Sequence, residues 1–164
     1  MRDTAPEPLN KPLQRLNREW NALHKDQLAP YQAYAAKPDK LLQALSLCTS
    51  ALGDYFNDHP EALSGDLQAF YFDALQWAKV AELFNEHFIF DITKRSFTAK
   101  RSSSTLCLRN VVPAEFIRPR LTAARSSVLF SATLSPRHYY ADLLGLPADT
   151  AWVDVESPFK AEQL

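Results

Sequence analysis

The sequence is short of glycine: Gly53, Gly65 and Gly145 stand alone against 11 prolines in 164 residues. Average usage would put glycine near ~7%. No two of the three fit G-x-G-x-x-G, and none opens G-x-x-x-x-G-K-[ST], so these residues hold neither a dinucleotide fingerprint nor a phosphate-cradling loop. Cysteine is scarcer still. Cys48 and Cys107 are too far apart for a C-x-x-C site, and both have apolar neighbours, which suits buried free thiols. His24, His59, His87 and His138 lack metal-ligand spacing, and Glu86-His87 is not part of H-E-x-x-H, so no metal site is expected. Ser131 follows an apolar run, but G-x-S-x-G is absent, which argues against a serine hydrolase. No apolar run reaches the ~18 residues of a membrane span. The opening MRDTAPEPLNKP is unlike a secretory signal. The expectation is a cytoplasmic protein with no membrane partner. Apolar residues are plentiful, at 46% with 12% aromatic, enough to build a core.

The net charge of −1 hides an uneven distribution. Residues 1–91 carry 8 basic and 13 acidic side chains, and residues 126–164 carry 2 and 5. Between them, residues 92–125 carry 8 basic side chains and one acid, Glu115, a local +7. Such a segment suits contact with phosphates, and a solvated basic loop explains it equally well. Lys94, Arg95, Lys100 and Arg101 are the candidate nucleic-acid contacts. Only Phe97 and Phe116 interleave the segment as aromatics, so base stacking is not strongly indicated.

Residues 1–8 are expected to fray. Leu9, Leu13, Leu16, Trp20 and Leu23 then recur at helical spacing, up to a stop at Pro30. A second helix is expected after Pro38, turning Leu41, Leu42, Leu45, Cys48, Leu52, Tyr55 and Phe56 inward until His59-Pro60. A third, capped by Ser64, carries Leu67, Phe70, Tyr71, Ala74, Leu75, Ala78, Ala81 and Phe84. Together they predict a helical bundle over residues 9–90. The pattern changes at Phe88. Residues 88–93 and 105–112 read as strands, separated by a Ser-rich basic loop over 94–104. A helix after Pro113, bent or broken at Pro119, leads to residues 127–131, whose apolar run suits a strand buried on both faces. Pro136 opens a helix that Gly145 ends, and residues 152–155 form a last strand. The fold class expected is mixed α+β: a helical bundle followed by an incomplete α/β segment with parallel strands.

Residues 127–136, Ser-Val-Leu-Phe-Ser-Ala-Thr-Leu-Ser-Pro, carry the most information. A buried strand ending here would put the Ser131 and Thr133 hydroxyls at the carboxyl edge of a sheet, where open α/β folds hold ligands. A strand-to-helix turn capped by Ser or Thr accounts for the same residues. The run Ser131-Ala132-Thr133-Leu134-Ser135-Pro136 resembles helicase motif III of the DinG/XPD-like superfamily-two DNA helicases. In order after it come Tyr139-Tyr140, Leu143-Leu144-Gly145-Leu146-Pro147 and Glu156-Ser157-Pro158-Phe159. Upstream, Leu106-Cys107-Leu108, Val112-Pro113 and Phe116-Ile117 resemble the strand and helix before that motif. The resemblance covers residues 104–164, with Phe at 130 where Thr is frequent in the family. Over residues 9–90 the helices merely suit the family's helical arch.

The resemblance implies part of an ATP-dependent DNA helicase. An arch-like domain would span residues 9–90, the closing part of a first RecA-like motor domain 91–147, and a linker with the start of a second motor domain 148–164. Ser131, Ala132 and Thr133 would couple nucleotide hydrolysis to movement on single-stranded DNA. ATP and Mg²⁺, with an iron–sulfur cluster in some family members, would serve the whole protein. This chain alone is expected to bind no cofactor and hydrolyse no ATP, because it contains no P-loop, no D-E-A-H box and no cysteine cluster. Self-association through exposed strand edges is expected. The rival expectation is a stand-alone helical module that binds protein or nucleic acid.

Overall fold

The computed structural model describes residues 6–62, 65–98 and 101–156. They form two compact units, Met1–Val111 and Val112–Leu164. The first contains α1 (Glu7–Asp26), β1 (Tyr31–Tyr34), α2 (Asp39–Asp58), a 3-10 turn at Pro60–Ala62, α3 (Gly65–Glu82), β2 (Phe88–Thr98) and β3 (Arg101–Asn110). The second contains α4 (Ala114–Ala123) and α5 (Arg137–Leu144). The protein is therefore mixed α+β, as the sequence led us to expect at that level.

The helical core of the first unit follows the leucine periodicity. Leu9 and Leu16 of α1 meet Leu41, Ala44, Leu45, Cys48, Leu52 and Phe56 of α2, with Ala74 of α3 closing the cluster. Apolar residues three and four apart make one stripe per helix, and burying that stripe stabilises the helices against their own entropy cost. Aromatic contacts continue the core, with Phe56 and Tyr71 edge to face at 5.3 Å between ring centroids. Gly53 matters to this packing, because a Cβ there would stand 3.2 Å from the Tyr71 hydroxyl oxygen. The Ser64 cap expected for α3 lies outside the described residues.

The sheet departs from expectation. β1, β2 and β3 pair in that order and antiparallel, not as strands of a parallel sheet. Residues 94–104, expected as a loop, belong mostly to the β2–β3 hairpin: Lys94 pairs with Ser104, Arg95 with Ser103 and Ser96 with Ser102. The polar composition of this stretch concealed its pairing. The register is set further down the ladder, where Phe90 faces Leu108 and Ile92 faces Leu106, and the rest follows the pleat. Phe90 and Ile92 are buried on the face that turns to the helices. The irregularity between Ser96 and Thr98 marks a bulge before the connection. β1 was not foreseen. It is four residues long, and it closes the sheet by pairing Tyr31 with Thr93 and Tyr34 with Phe90. The arch-to-motor boundary expected after residue 90 falls inside β2.

In the second unit α4 runs through Pro119 unbroken to Ala123. α5 begins after Pro136, which follows a cis peptide bond, and ends at Gly145. Gly145 has φ of 64°, and Leu146 N–H bonds the Ala141 carbonyl at 2.9 Å, which is a left-handed helix terminus. Residues 127–131 and 152–155 belong to no helix or strand and form no ladder with any described residue. The expected strand buried on both faces is instead exposed, with Val128 at 86% and Phe130 at 92%. β propensity reports a fit to a sheet surface, and a strand still needs a neighbour to bond.

Candidate nucleic-acid interface

The basic segment 92–125 is divided between the two units. Lys94, Arg95, Arg101 and Arg109 belong to the hairpin, and Arg118, Arg120 and Arg125 to the second unit. It is not one basic loop. Lys100 lies outside the described residues, and Arg101 is placed here only by its backbone in β3.

Within the hairpin the pleat sorts the charges. Lys94 shares the helix-facing side with Ser104, while Arg95 points the other way with Ser103 and is exposed. The Lys94 ammonium donates to the Gln27 carbonyl at the carboxyl end of α1, and its backbone N–H donates to Pro30 O at 2.7 Å. A cation on the last carbonyls of a helix is favoured by their partial negative charge. Lys94 thus holds α1 to β2. Gln27, buried beside it, donates through Nε2 to Ala29 O at 2.7 Å and Ile92 O at 3.0 Å.

Arg109 forms an ion pair with Asp91 across the sheet, on the face opposite Phe90 and Ile92 and two residues along β3 from Cys107, the register partner of Asp91. Asp91 is 1% exposed and Arg109 54% exposed, so the ion pair joins a buried anion to a surface cation. The hydrogen bond to Asp91 is the main cause that raises the Arg109 pKa above its ordinary value, and the carboxylate's charge adds to it. Asp91 Oδ1 and the side-chain amide of Asn110 are buried with no bonding partner.

Two contacts join α1 to the hairpin. Trp20 Nε1–H donates to Ser104 Oγ at 2.9 Å, and His24 Nε2 lies 3.0 Å from Ser102 Oγ. Four helical residues advance about 6 Å and two strand residues about 6.7 Å, so the two elements are matched in spacing and run in opposite directions. Trp20 was expected in the core with the leucines. It sits instead at the edge of that stripe, 38% exposed and tied to β3. The expectation of little aromatic interleaving came from reading residues 92–125 alone. The fold brings an indole to the hairpin from more than 80 positions away.

The motif-like residues Ser131, Ala132 and Thr133 form an exposed turn in the second unit. Thr133 N–H donates to Ser131 Oγ at 3.3 Å. This is a local hydroxyl-to-backbone bond within the turn, and α5 beyond it has no side-chain cap. Ser131, Ala132 and Thr133 belong to the second unit, and Lys94 and Arg95 to the first.

The residues present do not fit the cofactors that the resemblance implies. Gly65 and Gly145, the glycines with positive φ, stand singly at helix ends and form no phosphate loop. Two cysteines cannot supply the four thiolates of an iron–sulfur cluster. Among the described residues no three His, Cys, Asp or Glu side chains are grouped to hold a metal ion. None of the described helices is long and apolar enough to cross a membrane. Compared with known proteins, the chain matches no family model, no curated protein and no solved structure.

Proposed function

We propose that this chain is part of a DinG/XPD-like ATP-dependent DNA helicase that binds single-stranded DNA and carries the segment coupling ATP hydrolysis to unwinding. The observation that carries the reading is the state of residues 127–131 and 152–155. Both are largely apolar, lie outside any helix or strand and have no ladder partner among the described residues. Runs of this composition belong in a sheet covered on both faces, and the first of them ends at Ser131, which opens Ser131-Ala132-Thr133. On this reading a larger α/β body supplies the missing neighbours, and ATP is bound there rather than by these residues. Cationic side chains of the hairpin, Arg95 foremost, contact DNA phosphates.

A second reading has its own support. The core around Leu52 is complete within the first unit, as in a stand-alone helical module that binds protein or nucleic acid. One assay separates the helicase reading from a module that binds protein alone. The purified chain is expected to bind oligo(dT) with an affinity that falls with salt and to show no DNA-stimulated ATP turnover. No binding of oligo(dT) overturns the helicase reading, and turnover of ATP by this chain overturns the assignment of the ATP site to residues outside it.

A further inference from the structure

The outward face of α1 carries a row of cations that the charge count over residues 1–91 conceals. Lys11, Arg15, Arg18 and Lys25 recur at spacings of four, three and seven, on the side opposite Leu9 and Leu16, and all four are exposed. Between this row and the hairpin lie the amide side chains of Gln14, Asn17 and Asn21, with Asn21 Nδ2 donating to Asn17 Oδ1 at 3.1 Å. A shallow groove runs along these residues, open above Ala22, where a short side chain separates Arg18 from Lys25. One acid, Asp26, lines it. Glu19 is paired with Arg18 at 3.1 Å. The negative excess of the first half lies mainly on α2, α3 and the turns beyond them, away from this face. Next to the amides stands Trp20, its indole edge held by Ser104.

We propose that the α1 face and Trp20 form a track for single-stranded nucleic acid. The cations meet successive phosphates, the amides bond sugar and base edges, and Trp20 offers a surface for one base to stack. The charge is complementary to a phosphate backbone, and a partly exposed aromatic beside a cationic groove is what sequence-tolerant single-strand binding requires. Duplex DNA has no unstacked base to offer the indole. The inference deepens the DNA-binding part of the proposed function and rests on it.

The test uses the whole chain and a fluorescein-labelled oligo(dT) 20-mer, read by anisotropy over a salt series. Replacing Arg15, Arg18 and Lys25 together by Ala is expected to weaken binding and to lower the salt slope by about two units, at ~0.7 per phosphate contact on single strands. These side chains are exposed, so the circular dichroism spectrum should be unchanged. Trp20→Ala should weaken binding roughly tenfold. Ser104→Ala removes the indole's bond but keeps the ring, and so separates loss of stacking from loss of the α1–β3 contact. Oligo(dT) should quench tryptophan fluorescence, and Trp20→Phe should abolish most of that quenching while Trp77 and Trp152 remain. If the triple variant keeps the wild-type affinity and slope while Arg95→Ala weakens binding, the track is wrong and hairpin binding survives. If the wild-type chain does not bind oligo(dT), both fail. Equal binding of duplex DNA, or equal competition by polyglutamate, shows a general polyanion surface and overturns the single-strand assignment.

Discussion

Cys48 lies against Leu45 and Leu52 in α2, with 1% of its surface exposed. Burial pushes its thiol from 9.0 up to about 11, because the thiolate would lose its hydration there. The folded state therefore holds this proton more tightly than the unfolded state. The stability that follows is whole below about pH 9 and is lost as pH rises towards about 11. Denaturation midpoints of the wild type should fall across that window, and those of Cys48→Ala should fall less. In the folded protein at neutral pH a thiol reagent should label the partly exposed Cys107 first, and Cys48 only on unfolding. The Asp91–Arg109 pair gives a second test at this scale. Removing the exposed cation strands a buried carboxylate, whereas removing the carboxylate leaves an arginine that can turn to water. Arg109→Ala should accordingly lower the denaturation midpoint more than Asp91→Asn does. Equal effects would show that the pair does not account for the burial of Asp91.

Among the elements, α1, α2 and α3 were legible because a 3.6-residue repeat of large apolar side chains is a long signal, repeated over five turns in α1 and α2. α5 was legible at both ends, through Pro136 and Gly145. The hairpin was half legible. Phe88 to Thr93 and Thr105 to Asn110 declare themselves by composition, but the serines at 102–104 become strand only through partners on the other arm, which periodicity does not see. β1 escaped for the same reason, since Tyr31–Tyr34 is short and its partner lies some sixty residues away. The cationic row on α1 could have been found by plotting charge around the helix instead of along the chain. Trp20's place beside Ser104 left no signal in sequence. Gly145 carries the prediction here. With φ at 64° and a Cβ that would come within 2.9 Å of the Ala114 carbonyl oxygen, Gly145→Ala combines a strained backbone with a clash against main chain. The left-handed conformation alone costs about 1–2 kcal/mol, so loss of helical signal from the second unit on heating should begin at lower temperature. An unchanged melting profile would deny the close packing of α4 and the end of α5.

At the scale of the whole molecule, the two units differ in how well they satisfy themselves. The first has a continuous core and a sheet paired on one face by helices. The second consists of two short helices with no fully buried residue in either, and it presents Val128, Phe130, Val153 and Val155 to solvent. Apolar strand-like segments without neighbours associate. The isolated chain should therefore form dimers or larger species as concentration rises, measurable by light scattering. Val128→Ser with Phe130→Ser should shift it towards the monomer without altering the melting of the first unit. A wild type that stays monomeric at high concentration would show that these side chains find cover within the chain.

The pairing of β1 with β2 also sets an order of events during synthesis. Tyr31 bonds opposite Thr93, so β1 has no partner until the ribosome has made the whole of α2 and α3 and the first half of the hairpin. The helices can form from local contacts while the chain grows, and the sheet must wait for distant ones. In that interval the carboxyl end of α1 lacks Lys94, and Trp20 lacks Ser104. The hairpin is thus the last piece of the first unit to arrive, and its arrival fixes the face of α1 that looks outward.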